Sequence, residues 1–225
     1  SNAASRSPCV TASASFRRAE VASPAAGRSV DSPWGGRAVA AYATGFAALA
    51  ALYLTQPIVP ELGRAFGVDA GAAASTVSLA ILGLGLASPV VGVLSDRFGR
   101  RRIVIAGASA LVVVTGACAA APDLATLNAL RLVQGALLPT LMVVAVAYAA
   151  DALSIRAMRT VTGIYVAATA AGGMVGRVAA GAITDHAGWR WAFVARSAMF
   201  VAPPAFWARR PSGRPHARSA RPPPG

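Results

Sequence analysis

Lysine is absent from this 225-residue chain: all 21 of its basic side chains are arginines, which reads as codon bias in a GC-rich genome. Cysteine and histidine are scarce, with two of each. Cys9 lies in a polar leader and Cys118 inside an apolar run, so their spacing builds neither a disulfide framework nor a metal site. His186 falls in a loop and His216 in a tail. No hydrolase triad, metal-ligand cluster, dinucleotide fingerprint or phosphate-binding loop can be traced. The expectation is a chain that is not an enzyme, with no catalytic residues, no metal and no cofactor.

Acids are few as well, eight in all, which leaves a formal net charge of +13. A strong basic excess can mark a nucleic-acid partner, because neutralising phosphates needs clustered cations. Here the arginines sit mainly in two tails and in short gaps between apolar runs. They lack the aromatic interleaving of a stacking platform, so no nucleic-acid partner is expected.

What is abundant is apolar surface: 56% hydrophobic residues against 13% charged, with a mean hydropathy of +0.56. That is too apolar for an ordinary water-soluble domain of this length, and a lipid bilayer is its natural solvent. A helical span needs roughly 20 apolar residues. Five runs reach that length, at about 38–59, 70–94, 103–121, 124–150 and 160–184. A sixth, 189–207, is interrupted by Arg196 and loses backbone donors at Pro203 and Pro204, so its crossing is doubtful.

Arginine counts between the runs give the orientation, since short cytoplasmic loops collect basic residues. Arg17, Arg18, Arg28 and Arg37 precede the first run, Arg97 and Arg100 to Arg102 separate the second from the third, and Arg156 and Arg159 separate the fourth from the fifth. The opposite loops carry Glu61, Arg64 and Asp69, then Asp123, then Asp185 and Arg190. The N-terminus is therefore expected in the cytoplasm, joined there by the C-terminus if the sixth run inserts. An internal repeat accompanies this alternation. Gly92, Asp96, Gly99 and Arg101 recur at the same spacing as Gly181, Asp185, Gly188 and Arg190, at opposite faces, as two three-helix units of inverted topology would place them.

The segments flanking the bundle differ in kind. Residues 1–37 are rich in Ala, Ser, Pro and Arg with no hydrophobic period, and are expected to be a disordered cytoplasmic tail. They lack the apolar core of a secretory signal, although their acid-poor make-up is also that of an organelle transit peptide. Ser1-Asn2-Ala3 opens without an initiator methionine, as a fragment or a cloning scar would. Residues 209–225 alternate proline with arginine; disorder is expected there too, and translation in a shifted frame would account for the change in character.

Between the second and third runs stands Gly92-Val-Leu-Ser-Asp96-Arg97-Phe-Gly99-Arg100-Arg101-Arg102. Glycines allow a tight turn, and Asp and Arg supply partners for helix ends and for each other. This stretch resembles the signature of the major facilitator superfamily, G-x-L-x-D-R-x-G-R-R, in the corresponding loop. The resemblance implies an all-α transmembrane fold: the N-terminal bundle of five to six spans, 38–208, built as a 3+3 inverted repeat. It also implies that Gly92, Asp96, Arg97, Gly99, Arg100 and Arg101 form a conformational gate between two halves. Without the resemblance, the loop reads as a positive-inside signal carrying a tight turn.

Arg131-Leu-Val-Gln134-Gly135 places a cation within the fourth run. A charge near the bilayer centre costs about 2.5–3.5 kcal/mol on translocon scales, so it should face protein or water. The pattern is similar to the family's R-x-x-Q-G, which implies that Arg131 and Gln134 take part in proton coupling. Snorkelling toward headgroups near Asp123 is the other reading. In the fifth run, Gly172, Gly173 and Gly176 fit close helix packing, although the proline that family antiporters set beside these glycines is missing. Arg177 follows, as a cavity-lining residue or an exterior snorkel. The first run closes on Tyr53-Leu-Thr55-Gln56-Pro57-Ile-Val-Pro60-Glu61-Leu62, which resembles the P-x-x-P-x-L of drug and sugar efflux branches. Tyr53, Gln56 and Arg177 are the candidate solute contacts; Tyr53 and Gln56 also suit a headgroup belt.

The resemblance spans residues 38 to 193, and a full transporter of this type has twelve spans. The expected function is secondary transport of a small organic solute, efflux-type and proton-coupled, from a half-length chain in a bacterial inner membrane. Its expected partners are the bilayer, the solute and protons, with either a second half-transporter chain or a homodimer. The alternative is a non-transporting remnant or interaction protein that keeps the half-fold.

Overall fold

The computed structural model describes residues 36–142 and 155–201. Most of the two expected tails, the end of the fourth run and the end of the sixth lie outside these residues. Among the described residues every regular element is a helix: α1 Gly36–Leu52, α2 Val59–Phe66, α3 Ala70–Phe98, α4 Arg100–Ala119, α5 Leu124–Leu137, α6 Ile155–Ala187 and α7 Trp189–Met199. Three of them are long and apolar enough to cross a membrane, namely α3, α4 and the Arg159–Ala187 part of α6.

Helix ends follow local chemistry. Asp69 and Asp123 cap α3 and α5, accepting from the backbone N–H of Ala72 at 2.9 Å and of Thr126 at 2.7 Å, the role a short carboxylate plays at an N-cap. The first helix stops at Leu52, short of the expected 59, and residues 53–58 form a turn before α2. Pro57 explains the break: it brings no N–H for the Tyr53 carbonyl, its ring crowds that carbonyl, and it disfavours the helical region at Gln56. The pairs α3/α4 and α6/α7 are each joined by one glycine, Gly99 at φ +88° and Gly188 at φ +86°. A side chain would be strained in either place.

Packing pairs α3 with α5 and α1 with α6, while α4 lies against α5 and α7. In both of the first two pairs the helices run parallel, as Ser75–Asn128 and Thr76–Arg131 contacts show for one, and Gly45–Tyr165 and Gly176–Ala50 for the other. Glycines set the closeness. A Cβ on Gly83 would strike the Leu132 carbonyl and one on Gly135 the Ala80 carbonyl; one on Gly172 would strike the Phe46 carbonyl and one on Gly176 the Ala50 backbone. In lipid, where apolar side chains gain little from leaving the solvent, such backbone approach and dispersion hold helices together. Gly83 precedes Asp96 by the same interval as Gly172 precedes Asp185. The repeat thus extends from the turns into the crossing points.

The buried side chains form two main clusters. One gathers Ala51, Leu52, Ala80, Leu111, Leu138 and Phe200, and the other Leu54, Leu62, Ala73, Cys118, Leu127 and Phe193. Between them runs a polar layer. Thr76 falls between Ala73 and Ala80 on α3, Thr115 between Leu111 and Cys118 on α4, and Arg131 with Gln134 between Leu127 and Leu138 on α5.

Candidate functional site

Arg131 is completely buried. An arginine has five N–H donors and no acceptor, and here each donor has its own partner. Nε donates to the Thr76 carbonyl at 3.2 Å, Nη1 to the Ala51 carbonyl at 3.2 Å and to Gln134 Oε1, and Nη2 to the Leu52 carbonyl at 2.9 Å and Thr55 Oγ1 at 3.1 Å. Gln134 passes the network on, its Nε2 donating to Thr115 Oγ1 at 2.6 Å. One side chain on α5 thereby ties α1, α3 and, through Gln134, α4.

All five acceptors are neutral, so the cation needs another source of electrostatic relief. It sits at the C-terminal end of α1, where the last carbonyls lose their regular intrahelical amide partners and where the helix dipole is negative. Ala51 and Leu52 supply two of those carbonyls. The proline that breaks α1 and the arginine that satisfies the break form one device. A lysine could not replace it, having three donors on a point charge instead of a planar fork.

The three candidate solute contacts come together on the other side of the same turn. Arg177 Nε donates to Gln56 Oε1 at 2.7 Å, and its guanidinium lies 4.2 Å from the Tyr53 ring centroid. Arg177 and Gln56 are exposed and Tyr53 is half-buried. A Cβ on Gly173 would sit 3.2 Å from the Tyr53 ring, so this glycine accommodates the aromatic side chain, while Gly172 and Gly176 seat α6 on α1. The turn is held from within by Arg131 and from its open side by Arg177. Next to it, a cavity of about 380 Å³ is lined by Pro57, Pro60, Glu61, Arg64, Thr184 and Asp185 among others, with Arg64 and Glu61 paired at 2.8 Å.

The signature loop lies apart from both arginines. Asp96, Arg97, Gly99 and Arg100 are exposed, Gly92 and Arg101 half-buried, and among the described residues no ion pair engages Asp96. Gly92 has open space around it, and Gly99 makes the turn. The sequence reading missed Thr76 and Thr115, since threonine is unremarkable in an apolar run. Their spacing was the available signal: Thr76, Ala80 and Gly83 mark one helical face of small residues.

An apolar all-α bundle, parted by a buried polar layer and carrying an Asp–Arg turn between two of its spans, is the build of a multi-pass membrane protein. A family profile, Major Facilitator Superfamily, matches residues 41–224, and the chain belongs to that family, as an integral membrane protein matching roughly its N-terminal half. Among curated proteins, the chain is 32% identical over 151 residues to an uncharacterized MFS-type transporter of Bacillus subtilis, YybF, covering 67% of this chain and 37% of the relative. It is 27% identical over 181 residues to the inner membrane transport protein YnfM of Escherichia coli, covering 78% of this chain and 42% of the relative. An uncharacterized MFS-type transporter of Mycobacterium tuberculosis, EfpA, is 37% identical over 108 residues, which is 46% of this chain and 19% of the relative. The chain thus spans about two fifths of the length of the first two of these relatives.

Proposed function

We propose that this chain is one half of a secondary transporter that exports a small organic solute against a proton current, with the broken end of α1 as its moving part. The observation that carries this reading is the saturated guanidinium of Arg131, five donors on neutral acceptors, two of them carbonyls at the break. A buried cation held only by neutral groups responds to any charge that enters the neighbouring cavity. Arg131 and Gln134 serve as the coupling pair. A carboxylate on the facing half draws the guanidinium when ionised and releases it when protonated, and the α1 turn follows. Tyr53, Gln56 and Arg177 meet the solute, the ring offering a face and the polar pair fixing orientation.

The exposed Asp96, Arg97 and Arg100 and the half-buried Arg101, set on the Gly92 and Gly99 turn, serve as the gate against the facing half, on the cytoplasmic side of a bacterial inner membrane. Everted vesicles test the reading. Proton-driven uptake of a solute from a drug and sugar panel, abolished by Arg131→Ala and reduced by Gln134→Leu, is the expected result. Uptake that survives Arg131→Ala removes the coupling role, and no uptake of any solute at any pH gradient leaves the non-transporting half-fold as the better description.

A further inference from the structure

Among the described residues, the charges set inside the long helices are all of one sign. Arg131 on α5, Arg177 on α6 and Arg196 on α7 lie within helices, whereas the acids sit at helix ends. Asp69 and Asp123 are N-caps, Asp96 and Asp185 fall in last turns, and Glu61 belongs to the short α2, where Arg64 pairs with it. Arg196 extends the polar layer. It falls between Phe193, in one apolar cluster, and Phe200, in the other. It is buried, yet its Nε has no hydrogen-bond partner and its Nη1 meets only the Met199 thioether at 2.8 Å, a weak acceptor. The layer therefore holds two guanidinium groups and, among the described residues, no acidic side chain.

Arg177 adds a third cation, at the turn that Arg131 holds from within, and its pose is specific. Its plane lies 4.2 Å from the Tyr53 ring centroid and its Nε is taken by Gln56 at 2.7 Å, so one face and one edge are fixed. Among the described residues neither Nη has a partner. The outer edge thus keeps two parallel N–H donors, the edge that a carboxylate matches with both oxygens. Asp185, eight residues further along α6, is about 12 Å away by helical rise, beyond ion-pair reach. In a low-dielectric interior the fields of Arg131 and Arg196 are weakly screened. An anion that reaches the fork of Arg177 is drawn by all three charges, and a cation is repelled by all three.

We propose that the solute of this transporter carries a carboxylate, which Arg177 binds through its two Nη groups while Gln56 and the Tyr53 ring hold that fork in place. This deepens the reading of Tyr53, Gln56 and Arg177 as the solute contacts and rests on it. Charge sign is then the first filter on what the site admits. A lipid phosphate offers the same fork geometry, so the test separates the two.

Saturation-transfer NMR on the full chain in dodecyl maltoside, a detergent without phosphate, compares benzoate with benzamide and benzylamine, three probes of one shape and different charge. Benzoate is expected to bind about five- to tenfold tighter than benzamide, as one charge-assisted pair open to solvent would give, and benzylamine to bind weakest. Arg177→Gln is expected to remove the preference and Arg177→Lys to keep part of it. Arg102→Gln, which deletes one exposed arginine in the first turn of α4, is expected to leave it unchanged. An equal fall in Arg102→Gln and Arg177→Gln would assign the preference to the net charge of +13 and overturn the proposal. Benzoate binding that is lost in phospholipid nanodiscs overturns it too, by giving the fork to a lipid phosphate. Equal binding of the three probes, or tighter binding of benzylamine, overturns the carboxylate and spares the solute site where Arg177→Gln still weakens it. No saturable binding of any probe overturns both.

Discussion

Arg131 and Arg177 reach the same six-residue turn from opposite sides, and their surroundings differ in almost every respect. Arg131 is completely buried and spends every donor on protein acceptors. Arg177 is exposed and is held by one side-chain hydrogen bond and one aromatic face. The first arrangement commits every donor within the bundle and has much to lose on removal. The second leaves donors free and little structure at stake. Solvation, not residue type, separates a scaffold cation from a contact cation.

The sharpest way to break that comparison is Arg131→Ala. It takes a donor from three backbone carbonyls, Thr55 and Gln134 in the polar layer, and is expected to destabilise the chain by about 3–5 kcal/mol, since a buried acceptor that loses its partner costs about 1–3 kcal/mol and several do so together. Thermal unfolding in detergent measures it. Arg131→Lys should recover only part of the loss, because an ammonium cannot satisfy acceptors spread over a guanidinium's plane. A loss under about 1 kcal/mol would show that water replaces the arginine and that the layer is wetter than its burial indicates.

A second test holds the arginines fixed and moves the helices that carry them. Gly135→Val pushes α5 off α3 at the Ala80 carbonyl, and Gly176→Val pushes α6 off α1 at Ala50. Overpacking of this kind costs about 1–3 kcal/mol. The two variants are expected to be similar, since the crossings are related by the repeat, whereas the two arginine deletions are expected to differ widely. A large asymmetry between the glycine variants would mean that one helix pair carries most of the bundle.

Much of this was legible in the sequence because it depends on short-range patterns. The apolar runs, the Gly92 to Arg102 signature and a charge inside the fourth run are all visible without coordinates, and so is the Gly–Asp–Gly–Arg repeat. The partners of Arg131 were not. Main-chain carbonyls have no side-chain signature, and α1 gives up two of them only because the helix stops several residues before the hydrophobic run ends. Gly83, and the packing role of the Gly135 that closes the fourth-run motif, were hidden for a related reason: among 22 glycines, a glycine in an apolar run is informative only once the backbone it touches is known. The repeat could have exposed Gly83, since its distance from Asp96 copies that of Gly172 from Asp185.

Arg177→Ala should give the third and smaller effect. A cation over an aromatic ring at an exposed site contributes about 0.5–1 kcal/mol, and the side-chain bond to Gln56 adds little in solvent. Stability is expected to fall by no more than about 1 kcal/mol, with solute affinity the property that changes. If Arg177→Ala proved as damaging to the fold as Arg131→Ala, the division between scaffold and contact cation would be wrong, and the turn would need both arginines to exist.

The smallest effect belongs to an exposed group fixed by backbone geometry instead of burial. The Thr126 backbone N–H, donating to Asp123 at 2.7 Å, holds that carboxyl below its ordinary value of 3.8, with the Thr126 hydroxyl adding to the pull at 3.1 Å. A carboxyl with a lowered folded-state value stabilises the fold fully at pH above its unfolded value, and the contribution is lost as pH falls through the folded one. The α5 cap is therefore intact at neutral pH and weakens only below about pH 4. Asparagine caps a helix nearly as well as aspartate but does not titrate, so Asp123→Asn is expected to leave neutral-pH unfolding almost unchanged and to flatten the acid limb. Thermal melts of the two proteins from pH 7 to pH 3 measure this. An acid limb of equal slope in both would assign it to other carboxylates, and would show that exposure, even with a well-made cap, leaves this end of α5 energetically silent.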